Sequence, residues 1–388
     1  MLFEATTDFT AVTLILVLIV LGSIWLEKNT KAFKKIGAAA LTILIGMLLS
    51  NIGFLPGDSP VYDFFRGPGV LAGITLFLLT VNLSSIKDAG TPMLKAFLLG
   101  AIGAAIGGAT MGFLLVDQIG PDTWKLSGQF AATYIGGGVN FAAVGQALGT
   151  SSEYFTAGVA ADVIVTSIWL IICITVPEYF GKRNGAVSAE TDKDKAEAEV
   201  HRNSGIAALL NSSGKPISLM DLAMLLSIVV GCLWFSNLMG DLVPSIPMVL
   251  WLTTLALVLA QLPVVKKISG GLVLGNYMLL LFLATNGAIS IIAKIVEIGP
   301  AIFYFALGTV FIHGVIIFGV GIMLKIDSKI IAIASQANIG GASSAMAIAG
   351  ARGVPQYILP GVAVGLLGMA LGNYIGLGLA NAVKAFIG

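Results

Sequence analysis

The chain is predicted to be an all-α membrane protein built as two inverted repeats, each of five transmembrane helices plus one re-entrant hairpin. Three observations carry that prediction. Of 388 residues, 57% are hydrophobic and 11% charged, and apolar runs long enough to cross a bilayer follow one another almost from end to end. Ile135-Gly136-Gly137 recurs as Ile339-Gly340-Gly341, and at the same offset of 204 positions Asn82 is matched by Asn286, which a duplicated chain explains. The placement of Lys and Arg then selects the topology.

In order, the apolar segments lie at roughly 9–27, 36–55, 69–86, 93–116, 126–150 and 153–180, then 218–238, 246–264, 271–293, 299–324, 329–351 and 355–385. Residues 1–180 form the first repeat and 216–388 the second. Between them, 181–215 is polar and charge-mixed (Lys182, Arg183, Asp192, Lys193, Asp194, Lys195, Glu197, Glu199) and reads as a flexible cytoplasmic linker lacking the apolar content to fold. Glu4 and Asp8 precede the first span while Lys28, Lys31, Lys34 and Lys35 follow it, the reverse of a secretory signal. That span is expected to be retained in the bacterial inner (cytoplasmic) membrane, with the N-terminus outside.

If all twelve segments crossed, the halves would be parallel, with 8 Lys and Arg inside and 13 outside, against the positive-inside rule. Let the fifth segment of each half (about 126–150 and 329–351) enter and leave on one face, and the second half inverts. The count becomes 17 inside and 4 outside, the four being Arg66, Lys125, Lys294 and Lys384. Charge alone does not decide the second hairpin, because making it cross merely exchanges Arg352 with Lys384; the internal repeat argues for it.

Several function classes drop out. A net charge of +1 gives no basic excess for nucleic acid. Cys173 and Cys232 fall inside apolar spans and suggest neither a disulfide nor a metal site. There is no GxxxxGK[ST] to bind ATP, and His201 and His313 form no HExxH, so no enzyme and no cofactor beyond a sodium ion is expected. Hydrophobic duplicated halves, interrupted at corresponding places by glycine and small polar residues, point to a secondary transporter with its site at the repeat interface.

The repeat is strongest at the hairpin tips, Thr133-Tyr134-Ile135-Gly136-Gly137-Gly138-Val139-Asn140 and Ala337-Asn338-Ile339-Gly340-Gly341-Ala342-Ser343-Ser344. Glycines let the chain reverse and let backbone approach a ligand closely. Unwound backbone at membrane depth must be buried in protein or face a water-filled cavity. Its freed carbonyls, with the oxygens of Asn140, Ser343 and Ser344, suit a sodium ion, and half-helix N-termini suit a carboxylate. An isolated Gly-Gly pair is more simply a helix-packing contact; its duplication with polar followers favours a site.

The stretches IGGGVNFAAVGQALG and ANIGGASSAMAIAGARG resemble the paired signatures of the YjcL-like family of bacterial membrane proteins, a domain of unknown function, over essentially the whole chain apart from the linker. More remotely, the paired glycine-rich hairpins resemble those of the sodium-coupled glutamate and citrate symporters. That likeness covers only the motifs and the five-plus-hairpin plan, and implies hairpins that carry substrate and sodium in an elevator-like motion. The glutamate symporters' GGHG-type tip is GGGV here, so mechanism is implied better than substrate.

Polar residues inside the spans complete the candidate site. Asp162 is the acidic residue deepest in an apolar span, roughly 14 Å along its helix, where a bare carboxylate costs a few kcal/mol or more. It should be protonated, paired or bound to a coupling cation, or else serve a structural hydrogen bond; the second repeat has Gly365 or Leu366 there. Asn82 and Asn286 sit late in the third span of each half and could cross near the midplane beside the tips, or simply pack. Thr80, Thr285 and Ser290 extend the same polar patches. Arg352 could clamp a carboxylate by two parallel hydrogen bonds, as an arginine of the citrate-type hairpin does by resemblance, or obey positive-inside. His313, mid-span, could shuttle protons or be a satisfied structural residue. The expected function is sodium- or proton-coupled symport of a small polar or anionic organic solute. A cation/proton antiporter centred on Asp162 is the alternative within transport, and an intramembrane enzyme or sensor the alternative outside it. A homodimer is expected by analogy alone.

Overall fold

The computed structural model describes residues 9–30, 33, 37–183, 216–351 and 354–387. Arg352, Lys31, Lys34, Lys35, Glu4, Asp8 and linker residues 184–215 lie outside them, as does the side chain of Ser343. The described residues are helical, without strands: α1 Phe9–Asn29, α2 Ala38–Asn51, α3 Pro60–Leu78, α4 Gly90–Leu114, α5 Thr123–Gly136, α6 Gly138–Leu148, α7 Ser152–Arg183, α8 Leu219–Leu242, α9 Met248–Ala260, α10 Gly271–Ile289, α11 Ile292–Met323, α12 Ser328–Ala351 and α13 Ile358–Ile387. Eight of them are long and apolar enough to cross a membrane, and α2 and α9 are shorter apolar helices. The protein is a multi-pass membrane protein. Helix α1 shows why: Val12, Leu16, Ile19 and Val20 are buried while Leu14, Leu18, Leu21 and Trp25 are more than half exposed, so apolar side chains cover both its protein and its lipid faces.

Boundaries differ from expectation where local chemistry intervenes. Helix α3 starts nine residues early because Ser59 caps it and Pro60 occupies its first turn, where a missing N–H costs nothing. Pro68 is then absorbed by a π-turn at Phe65–Gly69. The helix stops at Leu78, short of Asn82, whose side-chain oxygen caps a 3₁₀ run at Leu83–Ala89. Helix α11 likewise begins seven residues early and carries Pro300 within it. A capping box between Ser218 and Asp221 starts α8.

Equivalent helices of the two halves pack against each other antiparallel. Gly73 of α3 meets Gly275, Met278 and Leu279 of α10, while Gly271 faces Leu76 and Thr80. In the α4–α11 pair Gly103 lies on His313, Gly107 on Thr309, and Gly308 on Met111. Glycines at these crossings let backbones approach as close packing in lipid requires. The second helix of each half instead runs onto the third helix of the other half. Gly46 of α2 lies on Ala284 and Ala288 of α10 and Ile43 on Gly287, while Asn51 at the end of α2 reaches Ser290 at the end of α10, so the two helices run in the same direction.

Matching amide clamps close both of these cross-pairs. Asn51 Nδ2 donates to Ser290 O (2.9 Å) and its Oδ1 accepts from Ile292 N (3.3 Å). In the other pair Gln261 Nε2 donates to Val81 O and its Oε1 accepts from Leu83 N, both at 3.0 Å. Each clamp joins the end of a second helix to the backbone just past a third helix of the opposite half.

Candidate functional site

Both predicted tips are breaks in helical backbone with the same geometry. Gly137 has φ 94° and ψ 174°, and Gly341 has φ 76° and ψ −171°, a region essentially restricted to glycine. After Gly137 the chain turns back: α6 lies antiparallel on α5, with Phe130 and Phe141 ring centroids 5.4 Å apart and Lys125 Nζ donating to Gly149 O at 3.3 Å. Gln129 staples the arms, its Nε2 donating to Phe141 O and its Oε1 accepting from Thr150 Oγ1. In α12, Ile333 and Ala345 both face Gly361 from opposite sides of the break. Burial, together with the charge of Asp327 before α12, holds the phenol of Tyr357 after it above its usual range.

The two breaks meet. A side chain added at Gly137 would place its Cβ 3.9 Å from Gly341 Cα. They share the wall of a cavity of about 490 Å³ with Thr80, Val81 and Asn82 from the end of α3, Lys266 and Gly270–Val273 around the start of α10, and Met346, Val362, Leu366 and Met369. The glycines of the tips divide by role. Gly136 is pressed against Gly368 of α13, Gly340 is crowded by Gln336 and Ser344, and only Gly138 and Gly341 face open space. Close packing explains the first two and cavity exposure the last two.

The cavity wall therefore exposes helix ends of both polarities. The N–H groups opening α6 have no side-chain cap at Gly137 among the described residues, and the last carbonyls of the preceding arm end there too. Behind them sit buried polar atoms with no hydrogen-bond partner among the described residues: Thr133 Oγ1, Asn140 Oδ1, and both amide atoms of Gln336. Asn140 Nδ2 donates to Gly368 O at 3.2 Å. Ser344 Oγ donates to Gly340 O, a bond within its own helix. Asn338, with its amide turned to donate, bonds Ala334 O and Phe97 O, tying α12 to α4.

Other expected residues are distributed differently. Asn82 lines the tip cavity, where its Oδ1 accepts from Lys266 Nζ (2.9 Å) and Ser84 Oγ (2.7 Å). Asn286 does not join it at the midplane. It lines a separate cavity of about 260 Å³ on the opposite face, with Asp63, Arg66, Gln146, Thr150, Phe155 and Phe282. The reason is directional: the third helices are antiparallel, so residues late in each helix end on opposite faces. Among the described residues Thr285 bonds back to Leu281 O alone, and Ser290 pairs with Thr156 at 2.8 Å. Asp162 accepts from Thr166 Oγ1 at 3.2 Å and has the Tyr134 hydroxyl beside it, but does not line the tip cavity.

His313 is fully satisfied. Its Nδ1 lies 2.8 Å from Gly100 O, an acceptor only, so that nitrogen carries the proton; Nε2 then accepts from Ser335 Oγ at 2.8 Å, and Ser335 accepts from Trp169 Nε1 at 2.9 Å. That chain of bonds joins α4, α11, α12 and α7 and gives the histidine a structural role. Lys266, Arg66, Gln129 and Gln336 are the site-lining or site-supporting residues that sequence reasoning missed. The basic pair was absorbed into the topology count; Gln336, two positions before Asn338 in an apolar run, carried a readable signal.

A stack of rings leads away from the smaller cavity. Phe305, Phe130, Phe141, Phe155 and Phe282 contact in that order at centroid separations of 5.3, 5.4, 5.2 and 5.0 Å, and all five are buried. Phe155 and Phe282 floor the smaller cavity.

Residues 13–386 match the family described as "Protein of unknown function (DUF819)". Over 380 residues, 94% of each chain, the sequence is 31% identical to the "Uncharacterized membrane protein YjcL" of Bacillus subtilis (strain 168). The chain belongs to the DUF819, YjcL-like family.

Proposed function

We propose that this member of the DUF819 family is a secondary active transporter whose halves are inverted repeats and whose broken helices are re-entrant hairpins. A small polar or anionic organic solute binds where the hairpin tips meet, and alternating access is elevator-like, driven by sodium or protons. The observation that carries the reading is the meeting of two matched glycine breaks at the wall of a cavity of about 490 Å³, with the five stacked rings as the proposed seal on its far side. The inverted plan draws support from α2 running parallel to α10 while α3 and α10 run antiparallel. A parallel duplication would give α2 and α10 opposite directions across the membrane. Positive-inside places the open cavity, beside Lys266 and Lys267, on the cytoplasmic face of the inner membrane, with the 181–215 linker there and the N-terminus outside.

Two ion sites fit the chemistry. The partnerless oxygens of Thr133 and Asn140, next to carbonyls at the end of α5, suit sodium. Asp162, with Thr166 and Tyr134 at its carboxylate, suits a proton or a cation. Because Asp162 lies outside the tip cavity, a cation/proton antiporter centred on it is the second reading. A homodimer is part of the proposal by likeness to the symporters.

The test is a thermal-shift screen of amino acids, peptides and carboxylates, with sodium and with potassium as the cation. A solute that stabilises the wild type should lose its effect in both Gly137→Val and Gly341→Val while each variant stays monodisperse. Undiminished stabilisation in both would return the glycines to helix packing.

A further inference from the structure

The two cavities share a chemical plan that the offset makes visible. On one face Asn82, at the end of the third helix of the first half, meets Lys266, just before the third helix of the second. On the opposite face Asn286, at the end of the third helix of the second half, shares a cavity with Arg66, at the start of the third helix of the first. The asparagines are 204 positions apart and the cations 200. Antiparallel packing of α3 and α10 brings the start of each beside the end of the other, so one amide and one cation stand at each mouth.

Among the described residues neither Lys266 nor Arg66 has a carboxylate within ion-pair distance, and Asp63 shares the Arg66 cavity without pairing with it. Lys266 donates to an amide oxygen instead, leaving its charge uncompensated at the wall that also presents the α6 N-terminus. A cation in a narrow, low-dielectric mouth concentrates anions and repels cations.

We propose that Lys266 with Asn82, and Arg66 with Asn286, are paired anion-receiving stations at the two ends of one pathway, and that the solute is a small organic anion. This deepens the transport reading and rests on it for the word pathway. The solute meets a cation and an amide on entering and an equivalent pair on leaving, so neither face has to bind it more tightly than the other. Lys and Arg at these positions serve the solute as well as the topology.

The stations can be read without a substrate. In a Cys173→Ala, Cys232→Ala background, cysteine is placed at Thr80 or Gln146, one in each cavity. Its rates of reaction with anionic sulfonatoethyl and cationic trimethylammonium-ethyl methanethiosulfonate are compared in detergent. Lys266→Gln should lower the anion-to-cation rate ratio at Thr80→Cys by about tenfold and leave Gln146→Cys within about twofold. Arg66→Gln should do the reverse, and Lys267→Gln, outside the cavity wall, should do neither. Lys266→Arg and Arg66→Lys should keep the wild-type ratios, which separates lost charge from lost fold. A ratio unmoved by the local cation, or moved equally by Lys267→Gln, overturns the proposal. The outcome is independent of transport: normal ratios in a protein that carries nothing would sink the transport reading and leave the stations standing. Flat ratios in a protein with tip-dependent uptake would sink only the stations.

Discussion

The two glycine breaks match in backbone, while the side chains around them differ in volume. Gly137 and Gly341 adopt the same rare turn, and Asn51 and Gln261 make the same clamp. Yet the five stacked rings Phe305, Phe130, Phe141, Phe155 and Phe282 correspond, at the common offset, to Ala101, Ala334, Ala345, Leu359 and Leu78. None of the five rings lines the tip cavity, whereas Phe155 and Phe282 line the smaller one, so the two matched breaks sit in differently filled surroundings. Asp162 repeats the lesson chemically, since its counterpart Leu366 lines the tip cavity and Asp162 does not.

The largest effect should come from making the halves alike. Phe141→Ala gives the first half its counterpart's residue, and should cost about 3–5 kcal/mol of stability, as deletion of a buried ring does. A cysteine at Val139, reachable in wild-type vesicles only from the Lys266 face, should then label from both faces. If it stays one-sided, the rings are not the seal. Next come the breaks: Gly137→Ala and Gly341→Ala should each cost about 1–3 kcal/mol in an unfolding titration, with similar values because the dihedrals match. A large disparity would mean that only one turn is held by its backbone. Smaller still, Asn51→Ala and Gln261→Ala should each cost about 1–2 kcal/mol for the two hydrogen bonds lost between halves and the one lost within the helix; unequal losses would break the equivalence of the clamps. The smallest stability change belongs to Asp162→Asn, which keeps an oxygen for Thr166 and should cost under about 1 kcal/mol. Its response to sodium or to pH in a transport assay should nevertheless disappear. Retention of both responses would make Asp162 structural and move coupling to Thr133 and Asn140.

Much of the frame was legible because local composition encodes it. Each of the twelve apolar segments corresponds to a helix or a broken helix, and both breaks fall at the glycines of the repeated tripeptide. What escaped depends on contacts between distant residues. The inverted topology already sets the third helices antiparallel, but how far Asn82 and Asn286 stand from the midplane depends on where each helix stops. The ring stack draws on α5, α6, α7, α10 and α11, and its members look like ordinary membrane phenylalanines until they touch. Lys266 was counted as a topological charge, and only its place in a cavity wall gives it a second meaning. His313 went the other way, its chemistry being spent on four helices' worth of hydrogen bonds.

The shortness of α2 and α9 has a consequence for the surrounding lipid. At 14 and 13 residues these helices are each about 20 Å long, against a hydrocarbon core of about 30 Å, whereas α11, with 32 residues, is about 48 Å long. Leu48 on α2 and Val258 on α9 are more than half exposed, so these short helices meet acyl chains directly. The bilayer must thin or dimple beside them while it stays thick beside α11. Hydrophobic mismatch carries a modest cost for each ångström, so bilayer thickness becomes a variable in this protein's stability.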